Sequence, residues 1–290
     1  MTGDTTRNRR LAAACAGLAL GVAAVAAVGV FGRGEAATHT IVTVRGERVE
    51  LVTDGIHAYN AERLVAEGVA WDFFTLFGAV PGLLVASVGL HRGSLRARLI
   101  ALGLLAYFFY QYLMYATAWA FGPLFVPFVA VYAASLAIGV WVGSTIRVTE
   151  VAARCTDRFP LRGMAFFSFI VATVLVSMWT ARIVAALRGD LEAGMLLGQT
   201  TMVVQALDLG LIVPLALITG VLALKRRPLG YVLAAVLAVK GTALAAAISL
   251  MVIRAGLVQG SLEWGGLTIF GTATAVCVWL GSRMWRSCDG

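Results

Sequence analysis

Charged residues are scarce in this chain. They account for 13% of its 290 residues, whereas hydrophobic residues account for 60% and the mean hydropathy is +0.88. A soluble globular domain usually carries about 25% charged residues. The composition therefore excludes an ordinary soluble fold and predicts an integral membrane protein.

Motifs of known chemistry are also missing. The chain has no G-x-x-x-x-G-K-[ST], no H-E-x-x-H, no G-x-S-x-G, no acidic lipid-phosphate motif and no histidine pair of the kind that binds haem across a bundle. These absences disfavour nucleotide-driven pumps, known hydrolases and haem cytochromes. We expect no cofactor and no metal, and the balance is against an enzyme.

Cysteine is rare as well, and the four cysteines are widely spaced. Cys15, Cys155, Cys277 and Cys288 form no C-x-x-C pair, and none lies in the external segment predicted below. The sequence therefore predicts neither a disulfide framework, nor thiol redox chemistry, nor a thiolate metal site.

Eight apolar runs are long enough to cross a bilayer as helices. They lack the alternation of barrel strands, so the predicted fold is all-α: a single membrane domain built as a transmembrane helix bundle. The first run also resembles a secretory signal, but it is longer than a normal signal core and is predicted to be an anchor; cleavage would leave seven spans. The predicted spans are 11–31, 73–90, 99–118, 123–146, 163–187, 201–224, 229–253 and 266–282.

The Lys and Arg residues predict the orientation. With both termini in the cytoplasm, fifteen of them face the cytoplasm and six lie in external segments. The positive-inside rule then favours a multi-pass protein of the inner (plasma) membrane with both termini cytoplasmic. The basic clusters are explained as topology signals and contacts with the lipid bilayer, and no nucleic-acid partner is implied. Small-residue seams such as AAACAGLALG also allow a homo-oligomer.

Residues 32–71 form the one sizeable external segment. Its first part, THTIVTV-RGE-RVELVT, predicts a β-hairpin, and the next part, AYNAERLVAEGVAWD, predicts a short helix that Asn60 caps and in which Arg63 and Glu67 lie one turn apart. Since so few large apolar side chains cannot build a core, we expect a lid and not an independent domain.

A faint internal repeat aligns Pro81 with Pro214 without a gap. The register places Tyr107 opposite Lys240, and an Asp precedes each proline, although at unequal spacing. Spans 1–4 and 5–8 would then run in the same sense, as in transporters with parallel repeats.

Lys240 and Asp208 are the strongest candidates for a site. Each lies inside a predicted span, where a charge costs about 2.5–3.5 kcal/mol on insertion scales, so we expect them to meet inside the bundle. The pair fits two interpretations: a cavity in which protonation is coupled to binding, or a buried ion pair that only fixes helix packing.

Other polar residues at membrane depth complete the candidate ligand site. Tyr107, Gln111 and Tyr115 recur on one helix face and either line the site or join helices. Arg182 either reaches the membrane interface or turns toward Asp208. Gln205 precedes Asp208, and Pro214 predicts a kink that permits gating.

Several pieces resemble a family of prokaryotic multi-span membrane proteins that has no assigned activity. They are Arg92-Gly93-Ser94-Leu95-Arg96, Tyr107 with Tyr110-Gln111-Tyr112, Pro123-Leu124-Phe125, the stretch from Asp208 to Pro214, and Gly230-Tyr231. The resemblance runs from about residue 40 to 250 and implies a multi-span bundle without contributing a reaction or a cofactor. The high Ala, Val, Gly and Arg content is typical of a GC-rich bacterial genome.

Three functions are compatible with the sequence. The leading one is a small carrier or permease for a small molecule or ion, with a polar cavity around Asp208 and Lys240. A membrane-embedded enzyme would act on a lipid-linked substrate at the outer rim with Asp72, His57 and Arg182. An assembly or sensory subunit would use the intramembrane charges for structure alone.

Overall fold

The computed structural model describes residues 2–32 and 37–288. Within these ranges, eight helices are long and apolar enough to cross a membrane, which confirms the predicted all-α bundle. The helices are α1 Thr2–Phe31, α2 Glu62–His91, α3 Leu95–Ala118, α4 Phe125–Ser144, α5 Val148–Arg154, α6 Leu161–Leu187, α7 Leu191–Gly194, α8 Val203–Leu224, α9 Pro228–Gln259 and α10 Trp264–Ser287. The short α5 and α7 lie in connections.

The predicted hairpin is present between α1 and α2. Strands β1 (Thr38–Val42) and β2 (Arg48–Val52) pair antiparallel, and the turn between them uses Gly46 at a φ of +84°, a conformation that favours glycine. Glu47 accepts hydrogen bonds from the backbone N–H groups of Leu197 and Gly198, both at 3.0 Å. The hairpin is thereby tied to the α7–α8 connection, and we call this end of the bundle the hairpin face and the opposite end the terminal face.

The predicted lid, residues 32–71, is too long. Helix α2 begins at Glu62, so the last ten residues of the segment are the first part of a membrane span. Of the three charged residues in this stretch, Glu62 is at the helix end, and Arg63 and Glu67 form an ion pair at 3.0 Å. The predicted cap is also wrong: α2 follows Ala61, whereas the Asn60 side chain accepts a hydrogen bond from the Ala120 N–H at 2.8 Å.

Helices α2 and α8 share an unusual local structure. Each contains a π-helical turn just before its proline, Thr75–Ala79 in α2 and Asp208–Ile212 in α8. The kink predicted at Pro214 thus takes the form of a π-helical turn in a continuous span. Such turns are rare and occur frequently at functional sites.

The bounds of these elements agree with the predicted repeat. The π-helical turns, the ends of α2 and α8, and the starts of α3 and α9 differ by 133 residues in every case. Packing follows the same register: α1 packs on α2 as α6 packs on α8, and α3 packs on α4 as α9 packs on α10. Helices α3 and α9 meet at the centre. These agreements support an internal duplication.

One glycine allows the two central helices to approach closely. A Cβ on Gly103 of α3 would lie 2.6 Å from the Cβ of Val239 and 3.2 Å from the carbonyl oxygen of Val236, both in α9. Small residues commonly permit such contacts between membrane helices. Gly103 is therefore needed for the packing at the centre of the bundle.

Replacing Gly103 with Val should destabilise the protein by about 1–3 kcal/mol, because the added methyl groups overpack the α3–α9 contact. The melting temperature in detergent, followed by tryptophan fluorescence, measures the effect. Gly21→Val is the matched control, since a Cβ on Gly21 meets no atom within 4 Å. Equal losses in the two variants would contradict the proposed contact.

The expectation that no disulfide forms is wrong. Cys155 and Cys288 are bonded at the terminal face, and the Thr156 N–H donates to the Ser287 carbonyl at 2.8 Å beside them. The bond fastens the segment after α10 to the α5–α6 connection. Sequence spacing did not indicate it because the partners lie 133 residues apart and only the folded bundle brings them together.

Thiol counting checks the disulfide. Protein purified without reductant and denatured in SDS should react with an alkylating reagent at two cysteines, Cys15 and Cys277, and at four after reduction. Cys155→Ser should expose one additional thiol without reductant, because Cys288 loses its partner. Mass spectrometry gives the count, and four modified thiols before reduction would rule out the bond.

Candidate functional site

The carboxylate of Asp208 connects three helices. It lies at the start of the π-helical turn in α8, where Oδ1 accepts a hydrogen bond from the hydroxyl of Tyr110 at 2.5 Å and Oδ2 accepts one from the indole N–H of Trp179 at 2.8 Å. Tyr110 belongs to α3 and Trp179 to α6. Hydrogen bonds to charged groups are stronger than neutral ones, so this carboxylate both fixes and orients the surrounding helices.

Lys240 does not form the predicted direct ion pair with Asp208. Its ammonium lies over the ring of Tyr110, 4.5 Å from the ring centroid, which is a cation–π arrangement. Tyr110 therefore contacts both residues, through its hydroxyl and through its ring.

Both residues line a cavity of about 510 Å³, within the range of small-molecule sites. It extends from charged residues at the hairpin face to Asp208 and Lys240 at depth. Most of the wall is apolar or aromatic. Representative wall residues are Trp71, Met114, Phe167, Leu175, Leu244 and Phe270.

The rim of the cavity carries two positive and two negative side chains. Arg63 contacts Glu67 at 3.0 Å and Glu263 at 3.3 Å, and the guanidinium of Arg182 stacks on the ring of Trp179 at 5.1 Å. Arg182 thus reaches Asp208 only indirectly, through Trp179, and of the two predicted alternatives the direct turn toward the carboxylate does not occur. The rim is charged but balanced.

Toward the terminal face the bundle is closed. Large apolar side chains from α3, α6, α9 and α10 pack into a second core cluster beyond the deep end of the cavity. Members of this cluster include Leu99, Met164, Val232, Val236, Leu280 and Met284. The cavity therefore approaches one end of the bundle and is sealed from the other.

The structure brings together only part of the predicted ligand site. Asp208, Lys240, Arg182, Gln205 and Tyr115 line the cavity. Tyr107 and Gln111 do not, although they lie on the same face of α3 as Tyr115. The periodicity places all three on one face of α3. Tyr115 on this face lines the cavity, whereas Tyr107 and Gln111 contact α2.

Tyr107 and Gln111 belong to a separate buried network between α2 and α3. Thr75 contacts the Tyr107 hydroxyl at 2.8 Å and donates to Oε1 of Gln111 at 2.7 Å, and the Gln111 amide donates to Asp72 at 3.1 Å. The hydroxyl of Tyr115 donates to the Gly68 carbonyl at 3.0 Å. Because its members bond to one another, this network joins helices.

The repeat relates the two polar regions. Thr75 and Tyr107 occupy the positions of Asp208 and Lys240 in the other half of the chain, 133 residues earlier. The first half has a neutral, hydrogen-bonded pair at these positions, and the second half has two charges facing a cavity.

The rival site at the rim is not assembled. Nε2 of His57 lies 3.1 Å from the carbonyl oxygen of Gly29, and Asp72 packs so closely against the same glycine that a Cβ there would lie 2.0 Å from its Oδ2. Both residues are buried and neither lines the cavity with Arg182. Across residues 2–32 and 37–288, no three His, Cys, Asp or Glu side chains group as a metal site.

Three residues of these sites were not predicted as members. Tyr110 and Trp179 were visible only as neighbours of other candidates, since an aromatic residue in a membrane helix is common. Thr75 had one usable signal, its position opposite Asp208 in the repeat. Hydrogen bonding to a carboxylate on another helix could not be read from spacing.

Comparison of the chain with known protein families, curated proteins and solved structures finds no match. The resemblance to a prokaryotic membrane family stays a prediction.

Exchanging the two charges distinguishes a simple ion pair from the observed arrangement. In Asp208→Lys with Lys240→Asp, the hydroxyl of Tyr110 and the indole of Trp179 lose their acceptor, at a cost of about 1–3 kcal/mol for each buried donor. We expect the exchanged protein to melt well below the wild type, and Lys240→Met to melt near it. Melting followed by size-exclusion chromatography measures this, and full recovery of stability by the exchange would show that only the charges matter.

Proposed function

We propose that the protein is a carrier whose binding site is the cavity at Asp208 and Lys240. The observation that carries this proposal is the cavity itself, which runs from a charged rim to two intramembrane charges and is sealed at the opposite end. An ionisable residue in a membrane helix that faces a cavity typically marks a substrate or ion pathway. A subunit that used these charges only for packing would need no such space.

The architecture supports alternating access. Duplicated halves that run in the same sense are a known transporter design, in which one half rocks against the other around a fixed site. At the centre of the bundle, α9 of the second half packs against α2 and α3 of the first half. In this proposal these three helices are the axis of the movement, and the second core cluster is the barrier that opens toward the terminal face.

The π-helical turns provide a place for local rearrangement. The turn at Asp208–Ile212 begins at the site carboxylate and ends one residue before Val213-Pro214. Irregular helix turns are easier to rewind than regular ones because part of the regular hydrogen-bond ladder is already lost. A change in occupancy or protonation at Asp208 would thereby reach α3 and α6 through Tyr110 and Trp179.

The Lys and Arg distribution supports an orientation for this carrier. The hairpin face carries few positive charges outside the rim, whereas the basic segments cluster at the terminal face. We therefore propose that the cavity faces outward from the inner membrane and that both termini are cytoplasmic.

Cysteine accessibility tests the carrier mechanism. In a protein with Cys15 and Cys277 replaced by Ala, Ala245→Cys places a thiol in the cavity, and Ala234→Cys places one in the sealed region. A membrane-impermeant methanethiosulfonate is added to sealed vesicles of known orientation. A carrier should react at position 245 from the hairpin face and at position 234 from the terminal face, about 10- to 1,000-fold more slowly if the second state is populated at about 0.1–10%.

Two controls accompany the accessibility measurement. Size-exclusion profiles identify variants that fail to fold, and SDS-denatured samples show that both thiols are reactive once exposed. No modification of Ala234→Cys from the terminal face, with Ala245→Cys still reactive from the hairpin face, would reject a carrier.

A further inference from the structure

The cavity has an opening along its side, between α6 and α10. One face of each helix lines it for several turns, and the described parts of the two helices have few contacts with each other. They meet on the terminal side of Phe167, where a Cβ on Gly163 would lie 3.0 Å from a methyl group of Leu280. The lining residues of α6 are Phe167, Val171, Val174, Leu175, Met178, Trp179 and Arg182, and those of α10 are Gly266, Ile269, Phe270 and Ala273. We call the space between these two faces the lateral slot.

The lateral slot is specific to the second half of the chain. In the first half the equivalent helices, α1 and α4, do pack on each other. Since the main packing of neighbouring helices within the two halves otherwise corresponds, the slot is a local departure from the repeat and not a general result of the fold. It also lies in the half that carries Asp208 and Lys240.

The slot is long, apolar and accessible from the bilayer. Phe167 and Arg182 are fifteen positions apart on α6, which corresponds to about 22 Å along a helix. Val174 is 41% exposed and Ile269 is 54% exposed although both line the cavity. A hydrocarbon chain could therefore move from the membrane into the slot without crossing water.

Lys240 supplies a polar end to this apolar space. The residue is 5% exposed, lines the cavity and has the Tyr110 ring as its contact, so its ammonium donors find no acceptor oxygen in the described protein. The oxygens of Asp208 already accept from Tyr110 and Trp179. Since a buried ammonium needs acceptors, the occupant should provide them, and an anionic group does so best.

We propose that the cavity binds a single-chain amphipathic anion that enters from the bilayer between α6 and α10. Its head group pairs with Lys240, and its chain lies in the lateral slot. This names the substrate class of the carrier proposed above and rests on that proposal for transport, although not for binding. A carboxylate head, as in a free fatty acid, and a phosphate head, as in a lysophospholipid, share the required chemistry.

Photolabelling in lipid nanodiscs tests the inference. The probe is stearic acid with a diazirine near the chain end and a terminal alkyne, and its methyl ester is the uncharged comparison. We expect adducts on the slot faces of α6 and α10, at least tenfold less labelling by the ester, and a similar loss in Lys240→Met. Lys240→Arg should retain labelling because the positive charge remains.

A matched pair of substitutions tests the slot independently of Lys240. Val174→Trp should obstruct the slot and reduce the adducts at least tenfold. Val176→Trp should not, since Val176 is equally exposed at 42% on the same helix but lies outside the cavity. Excess stearate and excess lysophosphatidic acid are then compared as competitors, which identifies the preferred head group.

The outcomes separate this inference from the carrier. Labelling that is spread over all lipid-facing helices, or is unchanged in both Lys240→Met and Val174→Trp, would overturn the inference. Slot labelling together with no terminal-face reaction of Ala234→Cys would keep the binding site and reject transport. Alternating accessibility without slot labelling would keep the carrier and reject this substrate class.

Discussion

The hydrogen bonds of the Asp208 carboxylate hold the site together. Two donors from two other helices converge on one buried acid, Tyr110 from α3 and Trp179 from α6. In a bilayer the free energy of an unpaired carboxylate is prohibitive, so these contacts constrain where α3, α6 and α8 can lie. The position of Lys240 follows from the same constraint, because the tyrosine that binds the acid also presents its ring to the ammonium.

The duplication explains why the two halves of the bundle look alike, although the residues at their equivalent polar positions differ. Both halves have a π-helical turn before a proline and the same order of packed helices. In the first half, Thr75 and Tyr107 satisfy each other and the neighbouring helices are packed. In the second half, charges replace that pair, and the outer helices α6 and α10 have few contacts with each other. Both halves line the cavity, but the two intramembrane charges and the lateral slot belong to the second half.

The charge and the shape of the cavity favour the same kind of ligand. The rim is balanced by Arg63, Arg182, Glu67 and Glu263, so it does not select strongly for either sign. The deep end has an ammonium without an acceptor, and the walls between are apolar. This order favours a ligand that is mostly hydrocarbon with one acceptor-rich end. The sealed terminal side means that such a ligand would leave toward that face only after the bundle rearranges.

Local signals in the sequence determined the membrane class, the number of spans and the hairpin. Long apolar runs indicate the spans, and β-branched residues on either side of a glycine turn indicate the hairpin. The repeat register was also readable from the two prolines. Contacts between helices decided the rest. Whether Tyr107 faces the site or another helix, whether Lys240 meets Asp208 or Tyr110, and whether Cys155 reaches Cys288 depend on the rotation and depth of packed helices. Residues that are distant in sequence set these quantities, since each helix in lipid is apolar all round and its own periodicity does not say which face turns inward.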